Sequence, residues 1–221
     1  MSLSVKEQKI LDAYHKLYYW GPDGERGRTG IEGRGTRRLT WFGKPLLKCP
    51  NDLLIYQEII YETKPTLIIE TGTHMGGSAL FFAHILDLIG QGEVVTIDRL
   101  IHPGRPKHPR IRYIAGSSSD QAVIDTIPLG KDPVLVVLDA DHRKAHVLKE
   151  LDLLAPYVKV GGYLVVEDTN ANGHPVIPDH GDGPWEALVE WLPQHPEFMV
   201  DKSREKLLLT FNPGGFLRRI R

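Results

Sequence analysis

Between residues 66 and 167 the chain repeats one pattern, a short and continuous apolar run followed by a segment with helical spacing. The apolar runs lie at 66–70 (TLIIE), 93–98 (EVVTID), 111–115, 133–139 (PVLVVLD) and 162–167 (GYLVVE). Helices are expected at 51–63, 77–89, 120–127 and 142–154, the first with Asn51-Asp52 at its N-cap. Strands that are apolar throughout, and not at every second position, are buried on both faces. That pattern requires a mostly parallel sheet with helices on each side. Two short strands at 197–201 and 206–211, after a helix at 184–192, would complete a seven-stranded sheet. A length of 221 residues suits one such α/β domain with a modest extension.

The extension is N-terminal. Residues 4–20 carry Ile10, Leu11, Tyr14, Leu17 and Tyr18 at helix spacing. Residues 21–38 then hold six glycines, one proline and five arginines with no periodicity. That stretch reads as a loop, either a plain linker or a cationic lid over a substrate. The Gly/Pro/His/Asp-rich residues 169–184 are a second lid candidate. We therefore divide the chain into residues 1–45, a helix with a lid or oligomerisation segment, and 46–221, the catalytic domain. Leu17, Tyr18, Tyr19 and Trp20 make an apolar helix end that the core would leave uncovered, so a homo-oligomer is expected.

Composition excludes several partners. With 27 basic and 28 acidic side chains, nothing favours nucleic acid or a membrane surface. No apolar run is long enough to span a bilayer or to act as a signal peptide. The single cysteine, Cys49, fits a reducing, cytoplasmic setting.

The first strand runs into Glu70-Thr-Gly-Thr-His-Met-Gly-Gly-Ser78. In a doubly wound sheet this turn lies at the carboxyl edge, where ligands bind. Gly72 and Gly76 let backbone approach a ligand closely. His74 breaks the G-x-G-x-x-G dinucleotide fingerprint, and an acid at the strand end would repel a pyrophosphate. Glu70 would instead suit the cationic amino and sulfonium groups of S-adenosylmethionine. Thr71, Thr73 and Ser78 complete the candidate turn contacts. Asp98 ends the second strand, where a carboxylate can accept both ribose hydroxyls. Ser117 and Ser118 either reach the adenine edge or cap the next helix.

The fourth and fifth strands end in Leu138-Asp-Ala-Asp-His142 and Val166-Glu-Asp-Thr169. If these strands are neighbours, Asp139, Glu167 and Asp168 gather at one edge. Such a gathering costs free energy unless a cation sits among them. Oxygen ligands suit Mg²⁺ or another hard divalent ion. A metal of that kind lowers the pKa of an alcohol and orients its oxygen. His142 then offers a base in the useful range, if it is not simply a surface residue at the helix start. Lys144 is a second candidate base.

These segments, with Thr210-Phe-Asn-Pro-Gly-Gly-Phe-Leu217, resemble the cephalosporin hydroxylase/rhamnosyl O-methyltransferase family over roughly residues 40–217. The resemblance implies the Rossmann-like fold of S-adenosylmethionine methyltransferases. It also implies metal-dependent methylation of a hydroxyl on a sugar or secondary metabolite. The residue pattern carried over makes Asp139, Glu167 and Asp168 the Mg²⁺ ligands and His142 the base. It leaves Asp141 as a rival to Asp139, as metal ligand or as a contact to the cofactor's amino group; Asp139 itself is counted for both. The rival functions are a hydroxylase or its partner subunit, and a non-catalytic cofactor-binding module. No spacing for a 2-His-1-carboxylate iron site supports the first, and a module needs neither metal nor base.

Overall fold

The computed structural model describes residues 3–20, 39–128 and 132–221. The proposed lid at 21–38 lies outside the described residues. The order of elements is α1 (Val5–Trp20), β1 (Thr40–Trp41), β2 (Lys44–Pro45), α2 (Pro50–Thr63), β3 (Leu67–Thr71), α3 (Gly77–Ile89), β4 (Glu93–Asp98), β5 (Ile111–Ala115), α4 (Gln121–Ile124), β6 (Val134–Leu138), α5 (Lys144–Leu154), β7 (Tyr163–Val166), α6 (Pro184–Trp191), β8 (Phe198–Val200) and β9 (Phe216–Arg219).

Seven strands form one sheet in the order β5-β4-β3-β6-β7-β9-β8. The first five run parallel, and β9 is antiparallel to both its neighbours. Each central strand feeds both faces, as continuous apolar runs require. Leu67, Ile69, Val136 and Leu138 point to the layer holding Val147, Leu151 and Leu188 of α5 and α6. Ile68, Val137 and Val165 point to the layer holding Tyr56, Ile59 and Phe82 of α2 and α3. The β1–β2 hairpin, not expected from the sequence, lies on α3, with Trp41 packed edge-on against Phe81 at 5.0 Å.

Register fixes where chemistry can occur. Thr71 pairs with Ile97 and Leu138, and Leu138 pairs with Val166. Asp98, Gly72, Asp139 and Glu167 therefore follow one another along the same carboxyl edge. The connections leave β3 in opposite directions here, the switch point where open α/β sheets bind ligands.

Three expectations need correction. The last strand is Phe216–Arg219 and not 206–211; Leu209 and Phe211 are apolar because they pack against Cys49 and α1. The first helix of the sheet domain is capped at Cys49 with Pro50 in its first turn, so Asn51 and Asp52 lie inside it. Asp52 is buried and accepts a bond from the Phe211 amide, at 2.9 Å. Finally, α5 begins at Lys144, which puts His142 in the loop before it.

Candidate active site

A cleft of about 290 Å³ opens along this edge. Its walls include Gly72, Thr73, Ser78, Asp98, Ser117 and Ser118 on one side and Asp139, His142 and Asp168 on the other. Glycine is required at position 72, where φ is +82° and a Cβ would stand 1.8 Å from the Asp139 carbonyl oxygen. That contact locks the glycine turn against the end of β6, as does the 3.1 Å bond from the Asp139 amide to Thr71 Oγ1.

Other expected cofactor contacts stand back from the cleft. Thr71 is buried in that bond. Glu70 is fully buried, because strand alternation turns it to the same face as Ile68. Its Oε2 accepts from Thr96 Oγ1 at 2.6 Å, while its Oε1 has no hydrogen-bond partner. Burial raises its pKa, with Lys48 opposing. Gly76 packs its backbone on Pro106, and Gly77 takes its place on the cleft wall. Asp98 does line the cleft, with its carboxylate already accepting from the Leu100 and His74 amides and from Arg105. Ser117 and Ser118 are also on the wall, and Asp120 performs the capping of α4.

The acids converge as two groups. Asp139, His142 and Asp168 offer ligand atoms all within 4.8 Å of one another. His142 Nε2 lies 3.2 Å from Asp168 Oδ2 and 3.9 Å from Asp139 Oδ1. Glu167 follows the alternation of Tyr163 and Val165 towards α2. There its Oε1 accepts from Lys48 Nζ at 2.5 Å and from Tyr56 OH at 2.5 Å. Lys48 Nζ also donates to Asp139 Oδ2 at 2.9 Å, so it bridges the two strand ends. Lys48 is 2% exposed. The sequence reading missed it; its only signal is a lone charge in an apolar stretch, Leu46-Leu47-Lys48-Cys49, just before a helix.

Electrostatics follow from this packing. Burial pushes the Glu167 carboxyl up to about 7, with the Asp139 charge adding and Lys48 opposing. Burial likewise raises Asp139 and Asp168. For His142 burial works downward, but the Asp168 and Asp139 carboxylates outweigh it and its pKa is raised. The donor set and the raised acids fit a hard divalent cation, which would supply the missing positive charge.

Of the two rivals, Asp141 also lines the cleft and Lys144 does not. Asp141 is bonded by the Arg143 guanidinium, which holds its carboxyl well below the usual range. Lys144 pairs with Glu190 at 2.9 Å, away from the cleft walls.

Residues 34–220 match the family described as Rhamnosyl O-methyltransferase/CmcI. The Rhamnosyl O-methyltransferase of Mycobacterium tuberculosis (strain H37Rv) is 38% identical over 95% of this chain and 85% of its own length. That of Mycobacterium leprae is 38% identical over 95% and 90%. Among solved structures, CmcI with Mg-SAM has a TM-score of 0.69 at 20% identity, covering 93% of this chain and 84% of that one. The MycE methyltransferase of the mycinamycin biosynthetic pathway, in complex with Mg and SAH, reaches 0.53 at 21% identity over 78% and 48%. At these identities the solved structures share the fold, the Rossmann-like one expected from the sequence.

Proposed function

The chain belongs to the Rhamnosyl O-methyltransferase/CmcI family, and from that premise we propose that it methylates a hydroxyl of a sugar or other secondary metabolite. The methyl donor in this reading is S-adenosylmethionine, and the reaction depends on Mg²⁺ or another divalent cation. One observation carries the proposal: a single cleft joins the glycine turn and Asp98 to the Asp139–His142–Asp168 group. A nucleotide-like donor and a metal-held acceptor would thus face each other across a few ångströms.

Gly72, Thr73, Ser78, Asp98 and the serines of the wall would hold the donor. Glu70, beneath the turn, acts on the field and on the shape of the turn and makes no direct contact. Asp139 and Asp168 would hold the cation, with Glu167 kept close behind by Lys48 and Tyr56. Bound S-adenosylmethionine supplies an electrophilic methyl that leaves a neutral thioether behind, and a bound divalent cation lowers the pKa of the acceptor hydroxyl. His142 Nε2 would take the acceptor's hydroxyl proton as the methyl is transferred, with the neutral thioether as leaving group. The raised pKa of His142 reflects its carboxylate neighbours, Asp168 first and then Asp139. Compensating those charges lowers it and frees the base.

The same reading takes in three further points. Residues 46–221 are the catalytic unit, and residues 169–184, which run from beside Asp168 to the first residue of α6, are a candidate lid. The chain works in a reducing compartment such as the cytoplasm; among the described residues no helix is long and apolar enough to cross a membrane. It works as a homo-oligomer, supported by Ile10, Tyr14 and Leu17 exposed on α1 while His15 and Tyr18 pack inward on Phe211. A monomer by light scattering at micromolar concentration overturns that last point.

The test is mass spectrometry of a panel of glycosylated and hydroxylated acceptors incubated with S-adenosylmethionine and Mg²⁺. A product heavier by one methylene, lost in EDTA and restored by Mg²⁺, is expected. Full activity in EDTA removes the metal from the mechanism. Binding of NAD with no response to S-adenosylmethionine in calorimetry sinks the whole reading.

A further inference from the structure

The segment Thr210-Phe-Asn-Pro-Gly-Gly-Phe216 contributes no group to the cleft, yet it is bonded almost residue by residue to the chain leaving β7. The Gly215 carbonyl accepts from the Val166 amide at 2.9 Å. Asn212 Oδ1 accepts from the Asp168 amide at 3.1 Å. The Pro213 carbonyl accepts from Thr169 Oγ1 at 2.9 Å, and the Phe211 carbonyl from the Asn170 amide at 3.1 Å.

The centre of this clamp is the residue whose backbone most needs one. Asp168 sits at φ +53°, in the left-handed region. A side chain other than glycine persists there only where its surroundings hold it. Glu167 follows the strand alternation towards Lys48, and Asp168, just past the strand in this left-handed conformation, presents its carboxylate to the cleft beside His142. Asn212 is itself fixed. It is 1% exposed, its amide donates to Thr210 Oγ1 at 2.9 Å, and its carbonyl accepts from the Gly215 amide at 2.9 Å. At Gly215 a Cβ would stand 2.2 Å from the Val166 carbonyl oxygen, so the segment can close on β7 only with glycine there.

We infer that Asn212 is a positioning residue that aims the Asp168 carboxylate at the cation site through the Asp168 amide. The inference rests on the cation reading proposed above. An ordinary structural bond would support the whole cleft equally. A positioning bond affects the cation site and leaves the donor site alone.

The experiment titrates the full chain with Mn²⁺ and, separately, with S-adenosylhomocysteine, by calorimetry. The variants are Asn212→Ala and Thr169→Val; the second is isosteric, removes only the hydroxyl on Pro213, and decides the matter if the first does not fold. Removing a partner that orients a metal ligand typically weakens the metal by 10–100-fold, so Asn212→Ala should raise the Mn²⁺ Kd by about tenfold or more and Thr169→Val by about threefold, with S-adenosylhomocysteine affinity within about twofold of native. In turnover, the KM for Mg²⁺ should rise by more than kcat falls. Native Mn²⁺ affinity in every variant that folds overturns the inference. So does an equal loss of Mn²⁺ and S-adenosylhomocysteine affinity. A native protein that binds no Mn²⁺ fails differently: it removes the cation reading, and this inference with it.

Discussion

Replacing Lys48 with methionine keeps most of the side chain's shape and deletes its charge. In the native protein Nζ lies 2.9 Å from Asp139 Oδ2 and 2.5 Å from Glu167 Oε1, with only 2% of the side chain exposed. Removing one partner of a buried pair costs about 3–5 kcal/mol, because the remaining charge is left without compensation. Here protonation can relieve part of that cost. Glu167 already titrates at about 7 with Lys48 beside it. Without Lys48 its folded pKa rises further, so near and below neutrality the carboxyl takes up a proton. A raised carboxyl pKa gives stability that is fully present below the unfolded value and lost as pH rises through the folded one. The destabilisation should therefore grow with pH, approaching about 3 kcal/mol at mildly alkaline pH. For a chain of this size that corresponds to a fall in Tm of roughly 6–12 °C.

Mg²⁺ supplies a second readout. Lys48 and a cation would share the Asp139 carboxylate, so the cation should stabilise Lys48→Met more than it stabilises the native protein. Differential scanning fluorimetry across pH, with and without millimolar Mg²⁺, measures both effects. A variant with native Tm at alkaline pH refutes the claim that Lys48 neutralises the cluster. An equal Mg²⁺ increment in both proteins refutes the claim that lysine and metal share its charge.

Two further outcomes follow from named groups. His142→Ala should lower kcat by about 10²–10⁴-fold, the usual contribution of a general base, with S-adenosylhomocysteine affinity unchanged; in the native protein the His142 pKa followed by NMR should fall when Mg²⁺ is added, and a rise would contradict the electrostatic account. His15 is buried against Phe211 and bonded to Asn170 at 2.9 Å, and burial pulls its pKa down to about 4 from 6.5. A depressed histidine gives stability that is present above the unfolded value and lost as pH falls through the folded one. Acidification from pH 7 to 5 should therefore cost the native protein about 2 kcal/mol more than it costs His15→Phe, read from urea midpoints, and equal losses would clear His15 of the effect.

What the sequence disclosed, and what it concealed, has one physical cause. A strand buried on both faces must be apolar along its whole length, so β3, β4 and β6 are visible without knowledge of the fold. Parallel pairing then puts their ends in register, which is why Asp139 and Asp168 could be placed together from spacing alone. The antiparallel strand β9 has only Phe216 and Leu217 buried, followed by two arginines, so its pattern is too short to recognise. The more apolar segment at 206–211 reads as the strand, although Leu207 and Leu208 are exposed and Leu208 has φ +68°.

The division of labour between Glu167 and Asp168 was hidden for a different reason. Adjacent acids at a strand end read as one cluster, whereas alternation sends consecutive side chains to opposite faces. Glu167 obeys that rule and meets Lys48 and Tyr56, which come from a loop and a helix more than 100 residues earlier. Asp168 faces the other way, from a left-handed backbone that the acid alone does not announce. Its cause lies some forty residues later, in an asparagine and a glycine pair whose only sequence signal was family resemblance. The strand ends determine which acids can meet, and the segments packed behind them determine which of those acids face the cleft.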